Sequence, residues 1–291
     1  MSRPTPPPPE PGLLLRLTGP MQSWGEHSHY TDRDTAAFPT RSGVIGLLAA
    51  ALGRHRGESI ADLTRLSLTV RADRPGVRLR DLHTVGGGLP AKATVTTAEG
   101  KKRSGETTTL LTHRHYLVDA AFTIALTTPH TPNTTPAERA DTHDLLTRCQ
   151  DALRFPQWPL YLGRRSCPPE GPLLLARTDN ALHHLIHLPL AATTPAPSGI
   201  EFIADRPLHT LPVPENLLTA DASDGAHPSG QATDEPLTFH TTRRAYRARP
   251  LYRRSLHLPA GQYAGLGTKQ LDALTTYLAL NLPETMEGSH P

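Results

Sequence analysis

The apolar positions fall into short runs separated by proline- and glycine-rich connections. Leu13-Leu14-Leu15-Arg16-Leu17 is a compact apolar run closed by Gly19-Pro20, the pattern of a buried first strand. A polar loop with Gln22, Ser23, Trp24, His27, His29 and Tyr30 follows. Val44, Leu47, Leu48 and Ala51 then repeat at helical spacing, with Thr40 placed to cap the helix and Gly53 to stop it. Leu66, Leu68 and Val70 alternate, as do Val77 and Leu79, and Arg74-Pro75-Gly76 makes the turn between them.

From residue 86 to about 112 the core signal stops. Beyond it Tyr116, Val118, Ala120, Phe122, Ile124 and Leu126 alternate without a break, which predicts one strand. Thr135-Pro136-Ala137-Glu138 joins a capping box to a proline at the first helical position. The helix it opens presents Leu145, Leu146, Cys149 and Leu153. A terminal helix is predicted from Lys269 to Leu280. The order strand, helix, two strands, strand, helix, strand is that of a split βαβ, giving an α+β, ferredoxin-like antiparallel sheet with helices on one face.

Composition narrows the picture. The chain has 291 residues, and 30 Lys+Arg against 27 Asp+Glu leave +3, too little to argue for nucleic acid. Its 30 prolines are an excess that excludes coiled coil, while 22 glycines keep it below wholesale disorder. Cys149 and Cys167 are too few for a disulfide framework or a thiolate zinc site, which reads as a cytoplasmic protein with reduced thiols. No apolar run is long enough to span a membrane. The prolines of residues 1–12 predict a disordered tail without the apolar core of a signal peptide, and residues 212–236 read as a flexible linker. A main domain over 13–177 and a smaller, β-rich C-terminal region over 178–291 are expected.

Charge is concentrated locally. In the insertion at 86–115, Lys92, Lys101, Lys102, Arg103 and Arg114 outnumber Glu99 and Glu106. It is either a polyanion contact or a solvated loop. Between Pro236 and Leu271 there is no acid, and Arg243, Arg244, Arg247, Arg249, Arg253, Arg254 and Lys269 stand among Tyr246 and Tyr252. Arginine forks take phosphates and aromatic faces stack bases, although an acidic neighbouring subunit fits this window equally well. Walker A, HExxH, nucleophile-elbow and zinc-spacing motifs are missing. His183, His184 and His187 read as surface histidines rather than metal ligands. His113-Arg114-His115-Tyr116 is the one group suited to acid–base work on RNA, or it simply leads into the strand.

Gly19-Pro20-Met21-Gln22-Ser23-Trp24-Gly25 and the run from Phe38-Pro39-Thr40-Arg41-Ser42-Gly43-Val44 to Gly53 resemble the CasD-type subunits of type I-E CRISPR Cascade complexes. So do Asp81-Leu82-His83-Thr84-Val85, the segment from Arg114 to Phe122, and Pro159 to Pro168 with Gly163-Arg164-Arg165. The resemblance implies an RRM-like (ferredoxin-like) domain with a β-hairpin thumb at about 86–115. It also implies an RNA-binding subunit, without cofactor or metal, that caps the 5′ handle of the crRNA. The partners implied are the CasC backbone subunit and the CasA large subunit, with target DNA met through the assembled complex.

On that reading the RNA contacts are Gln22, Ser23, Trp24, Thr40, Arg41, Ser42, Gly43, His83, Lys101, Lys102, Arg103, Arg114, Tyr116, Arg164, Arg165, Arg243, Arg244 and Arg247. Trp24 either stacks a base or anchors the core. Thr40 to Gly43 lie at a helix N-terminus, which either receives a phosphate or is simply capped. Arg164 and Arg165 face phosphate or a neighbour. The alternative activity is a metal-independent endoribonuclease using Tyr30, His113, His115 and Tyr116.

Overall fold

A computed structural model of the chain describes residues 8–26, 31–86, 93, 109–128, 133–214, 217 and 224–282. The expected contacts Lys101, Lys102, Arg103 and Tyr30 lie outside them, as do Lys92 and residues 1–7 of the tail.

The first strand, β1 (Gly12–Thr18), is buried along its whole length. It lies between β7 (Ala121–Thr127) and β8 (Leu174–Thr178), antiparallel to both. Each face of it meets a core, so the run carries no polar alternation. Leu13, Leu15 and Leu17 face one core with α1 (Arg41–Ala51) and α2 (Pro136–Arg154). Leu14 faces a second core with α3 (Ala181–His187) and α4 (Thr268–Asn281). The large sheet therefore has helices on both faces, where the strand and helix order predicted one. The additional cover is α3 and α4, which shield a face made by Leu14, Ala125, Phe202 and Leu256.

Two strands follow α1, namely β4 (Ser67–Arg74) and β5 (Val77–Val85), as the alternation predicts. The run from Tyr116 to Leu126 is two strands. β6 (Leu110–Val118) stops at Asp119, whose left-handed backbone (φ 59°) turns the chain into β7. Asp119 tolerates that conformation better than most residues, and its carboxylate meets Arg74 at 3.0 Å. The two halves join different sheets. β7 pairs with β1 and β4, whereas β6 pairs with β5 in a long hairpin from Val77↔Val118 to Val85↔Leu110. The short strands β2 (Met21–Gln22) and β3 (Asp32–Arg33) line the other edge of β6.

Three strands from beyond residue 178 continue the large sheet. These are β9 (Ile200–Ala204), β10 (Gly230–Thr238) and β11 (Ala245–Leu256), giving the order β10-β11-β9-β4-β7-β1-β8, antiparallel throughout. The C-terminal region thus extends the main sheet through β9 on β4. The expected linker is also partly strand: β10 begins at Gly230, and upstream Asp224 lies 3.8 Å from Arg254. The end of the expected tail is held too. Glu10 pairs with Arg206 at 2.5 Å, and its carbonyl accepts the Ala181 N–H.

Candidate nucleic-acid interface

Four separated segments meet at the N-terminal end of α1. Trp24 is 1% exposed, and its ring lies where a side chain on Gly43 would be, 2.7 Å from that position. Glycine costs a helix about 1 kcal/mol relative to alanine, and here it makes room for the indole. The Trp24 Nε1–H donates to Gln22 Oε1 at 3.0 Å. Gln22 Nε2 in turn donates to the Leu17 and Ala120 carbonyls, both at 2.9 Å. Ser23 donates its N–H to the Leu162 carbonyl at 3.0 Å and its hydroxyl to the His115 carbonyl at 3.0 Å. Gly163 follows at φ 90°, and a Cβ there would lie 1.7 Å from the Ser23 carbonyl oxygen.

These contacts place several residues expected to touch RNA inside the fold. Gln22, Ser23 and Trp24 are buried and hydrogen-bonded within the chain, so Trp24 anchors the loop. Tyr116 is 3% exposed, with the Arg164 guanidinium 4.9 Å above its ring centre. Arg164 also donates to the carbonyls of His115 (3.2 Å), Arg33 (2.8 Å) and Asp34 (3.2 Å), which ties the 163–165 turn to β3 and β6.

Thr40 and Arg41 are buried as well, and Thr40 makes no side-chain cap bond. The helix N-terminus does hold an anion, but it belongs to the chain. Asp234 Oδ2 accepts the Arg41 N–H at 2.7 Å, while the same carboxylate binds Arg249 Nε at 2.6 Å. The Arg41 side chain pairs with Glu235 and with Asp205 at 2.7 Å, and donates to the Thr64 and Leu66 carbonyls, each at 2.6 Å. Burial raises the pKa of Asp205, against the pull of Arg41. Asp234 and Glu235 sit in the stretch read as linker, so their role was invisible locally.

Other candidates remain at the surface. Arg165 is exposed, and Ser42, Gly43, His83, His113, Arg114 and His115 are half-buried. Arg33, which sequence reasoning missed, lies directly across from Arg114 in the parallel β3–β6 pairing. Its charge is hidden in the sequence by flanking Asp32 and Asp34. Arg114 Nε is buried without a hydrogen-bond partner among the described residues. His115 Nε2 lies 3.3 Å from Asp32. The arginine window divides in two. Arg249, Arg253 and Arg254 face Asp234, Glu201 and Asp224, whereas Arg243, Arg244 and Arg247 stay exposed at the β10–β11 end.

Among the described residues no group of three or more His, Cys, Asp or Glu is placed to hold a metal ion. None of their helices is long and apolar enough to cross a membrane. The fold and this junction define an antiparallel α+β protein with a buried, hydrogen-bonded loop at the start of α1 and arginines on the adjoining strands. A family model described as "CRISPR-associated protein (Cas_Cas5)" matches residues 12–252, and the chain belongs to that family. It is 32% identical over 237 residues to the CRISPR system Cascade subunit CasD of Escherichia coli (strain K12), covering 77% of this chain and 88% of that protein. A chain of a solved CRISPR RNA-guided surveillance complex is 38% identical, with a TM-score of 0.72, covering 92% of this chain and 99% of that one. A crystal structure of a Cas protein is 28% identical with a TM-score of 0.56, covering 88% and 99%.

Proposed function

We propose that this chain is the subunit of a type I-E Cascade-like surveillance complex that grips the 5′ handle of the crRNA without cutting it. The observation that carries the reading is the junction itself. The motifs that resemble CasD-type subunits are spread from Gly19 to Pro168, yet they pack into one site. That site carries Arg33, Arg114 and Arg165 on β3, β6 and the adjoining turn. Phosphates of a single strand suit these guanidinium groups, and half-buried His83, His113 and Ser42 add polar contacts at base edges. The sheet path β1-α1-β4-β7-α2-β8, with inner order β4-β7-β1-β8, supports a ferredoxin-like, RRM-like core. The β5–β6 hairpin is then the base of its thumb, with Lys101, Lys102 and Arg103 in the segment it carries.

A binding rather than cleaving role is supported by Tyr116, whose ring is buried under Arg164 and so is not open to a substrate. The proposed neighbours are the CasC backbone and CasA large subunits, with target DNA met through the assembly in the cytoplasm. The test is to incubate the full chain with handle-bearing precursor RNA in EDTA. Binding without cleavage, weakened by Arg114→Gln with Arg165→Gln, is expected. Site-specific cleavage abolished by His113→Ala or His115→Ala would replace this reading with the endoribonuclease.

A further inference from the structure

The β10–β11 hairpin runs along α1, and its two ends do different things. At the start of α1 its Asp234 accepts the Arg41 N–H. Farther along, the Phe239 ring packs 3.8 Å from the Cβ position of Gly46. At the tip the His240 ring lies beside Gly57, past the end of the helix. An 11-residue helix is about 16 Å long at about 1.5 Å per residue, so the tip lies well away from the Trp24 junction.

The tip has a composition of its own. From Leu237 to Ala248 there are three arginines, Arg243, Arg244 and Arg247, and no acid. All three are exposed, and none has a side-chain hydrogen bond or ion pair among the described residues. Tyr246 stands among them, 40% exposed, and Leu237 is 54% exposed. Exposed Arg56 adjoins Gly57 on the neighbouring loop, with exposed Glu58 as the acid beside it. The structural needs for charge are met elsewhere: Arg249 and Arg253 pair with Asp234 and Glu201, and Glu235, opposite Arg247, is held by Arg41. The tip is therefore a cationic patch with an exposed aromatic ring, and Glu58 is the acid beside it.

We propose that this tip is a second nucleic-acid contact, separate from the junction, which holds a single strand by its phosphates and by stacking on Tyr246. Three guanidinium forks suit successive phosphates. An exposed ring and an exposed leucine suit unpaired bases, which a duplex keeps in its stack. An acidic protein surface would use the arginines but leave the tyrosine face idle. The contact reads no sequence, so a guide RNA and a displaced DNA strand share the chemistry that it recognises.

The experiment measures binding of the full chain to oligouridine and oligothymidine of about 20 nucleotides and to a duplex of equal length, across a salt series. The triple change Arg243→Gln, Arg244→Gln, Arg247→Gln should weaken both single strands about tenfold at low salt. It should also make the logarithmic salt slope shallower by about 2, since each phosphate contact contributes about 0.7 on single strands. The corresponding Arg→Lys triple should keep the slope, and Tyr246→Ala should weaken binding at least about fivefold. Melting curves should match the parent, because these side chains are exposed.

Unchanged affinity and slope in the triple glutamine variant would overturn the proposal. Loss of binding to polyglutamate alone would do the same, in favour of an acidic protein. A duplex bound as tightly as oligouridine, and equally weakened, would overturn the single-strand assignment. The handle reading is tested apart from this. Arg114→Gln with Arg165→Gln should reduce preference for handle RNA over oligouridine, whereas the hairpin triple should weaken both alike.

Discussion

Replacing Arg41 by Gln separates a structural arginine from an RNA ligand. Its guanidinium neutralises Asp205 and Glu235 and donates to two carbonyls, with its side chain 6% exposed. The two carboxylates are 11% and 12% exposed, so water does not replace the lost partner. Removing one member of a buried pair costs about 3–5 kcal/mol. Two acids lose their cation here, and burial raises the pKa of one of them, Asp205. A cost in that range is equivalent to a fall in Tm on the order of 6–15 °C. The sign with pH follows from the same groups. Burial raises Asp205 above its unfolded value, and losing Arg41 removes the charge that opposes this, so the deficit is small below about pH 4 and grows as pH rises through the folded value. Thermal melts of parent and variant from about pH 4 to pH 8 measure this. A variant that melts within about 1 °C of the parent, yet loses RNA affinity, would refute the structural assignment.

Other outcomes follow from the same geometry. Gly163→Ala, with φ 90° and the Ser23 carbonyl 1.7 Å from the new Cβ, should cost more than about 2 kcal/mol, while Gly230→Ala, with nothing within 4 Å, should cost under about 1 kcal/mol. Equal melting temperatures for these two would show that the Ser23 turn has room. Burial pushes the Cys149 thiol up to about 12, and Cys167 is fully buried, so a thiol reagent should modify neither until denaturant is added. Fast labelling of the native chain would contradict that packing. Desolvation, with His183 and His187 alongside, lowers His184 to about 4, and its Nδ1 lies 3.0 Å from the Tyr277 hydroxyl. The unfolded chain binds that proton first, so stability should fall as pH drops from about 6.5 to about 4, and His184→Gln should flatten the slope. An unaltered slope in that variant would remove His184 from the account.

Much of the fold was legible because local signals agreed with the tertiary structure. The capping box of Thr135 and Glu138 opens α2, and the apolar run at Leu13 is β1. The failures share a cause in partners remote along the chain. Alternation continues through Asp119, although the backbone reverses there and hands β6 and β7 to different sheets. Residues 230–236 resemble a linker in composition, but Asp234 and Glu235 fold as strand because Arg41 and Arg249 neutralise them. The same pairings explain the site. An anion at the N-terminus of α1 was foreseeable, but its being Asp234, 193 residues beyond Arg41, was not. The arginine window lost three charges to Asp234, Glu201 and Asp224, and its exposed arginines Arg243, Arg244 and Arg247 lie at the hairpin tip.

The most direct test of the handle-gripping role compares crRNA with and without its 5′ handle, bound to the full chain in EDTA with 4-thiouridine placed in the handle. The account predicts tighter binding of the handle-bearing RNA, no strand scission, and crosslinks in peptides that carry Arg33, Arg114 or Arg165. Equal affinity for the handle-less RNA, with crosslinks elsewhere, would contradict it.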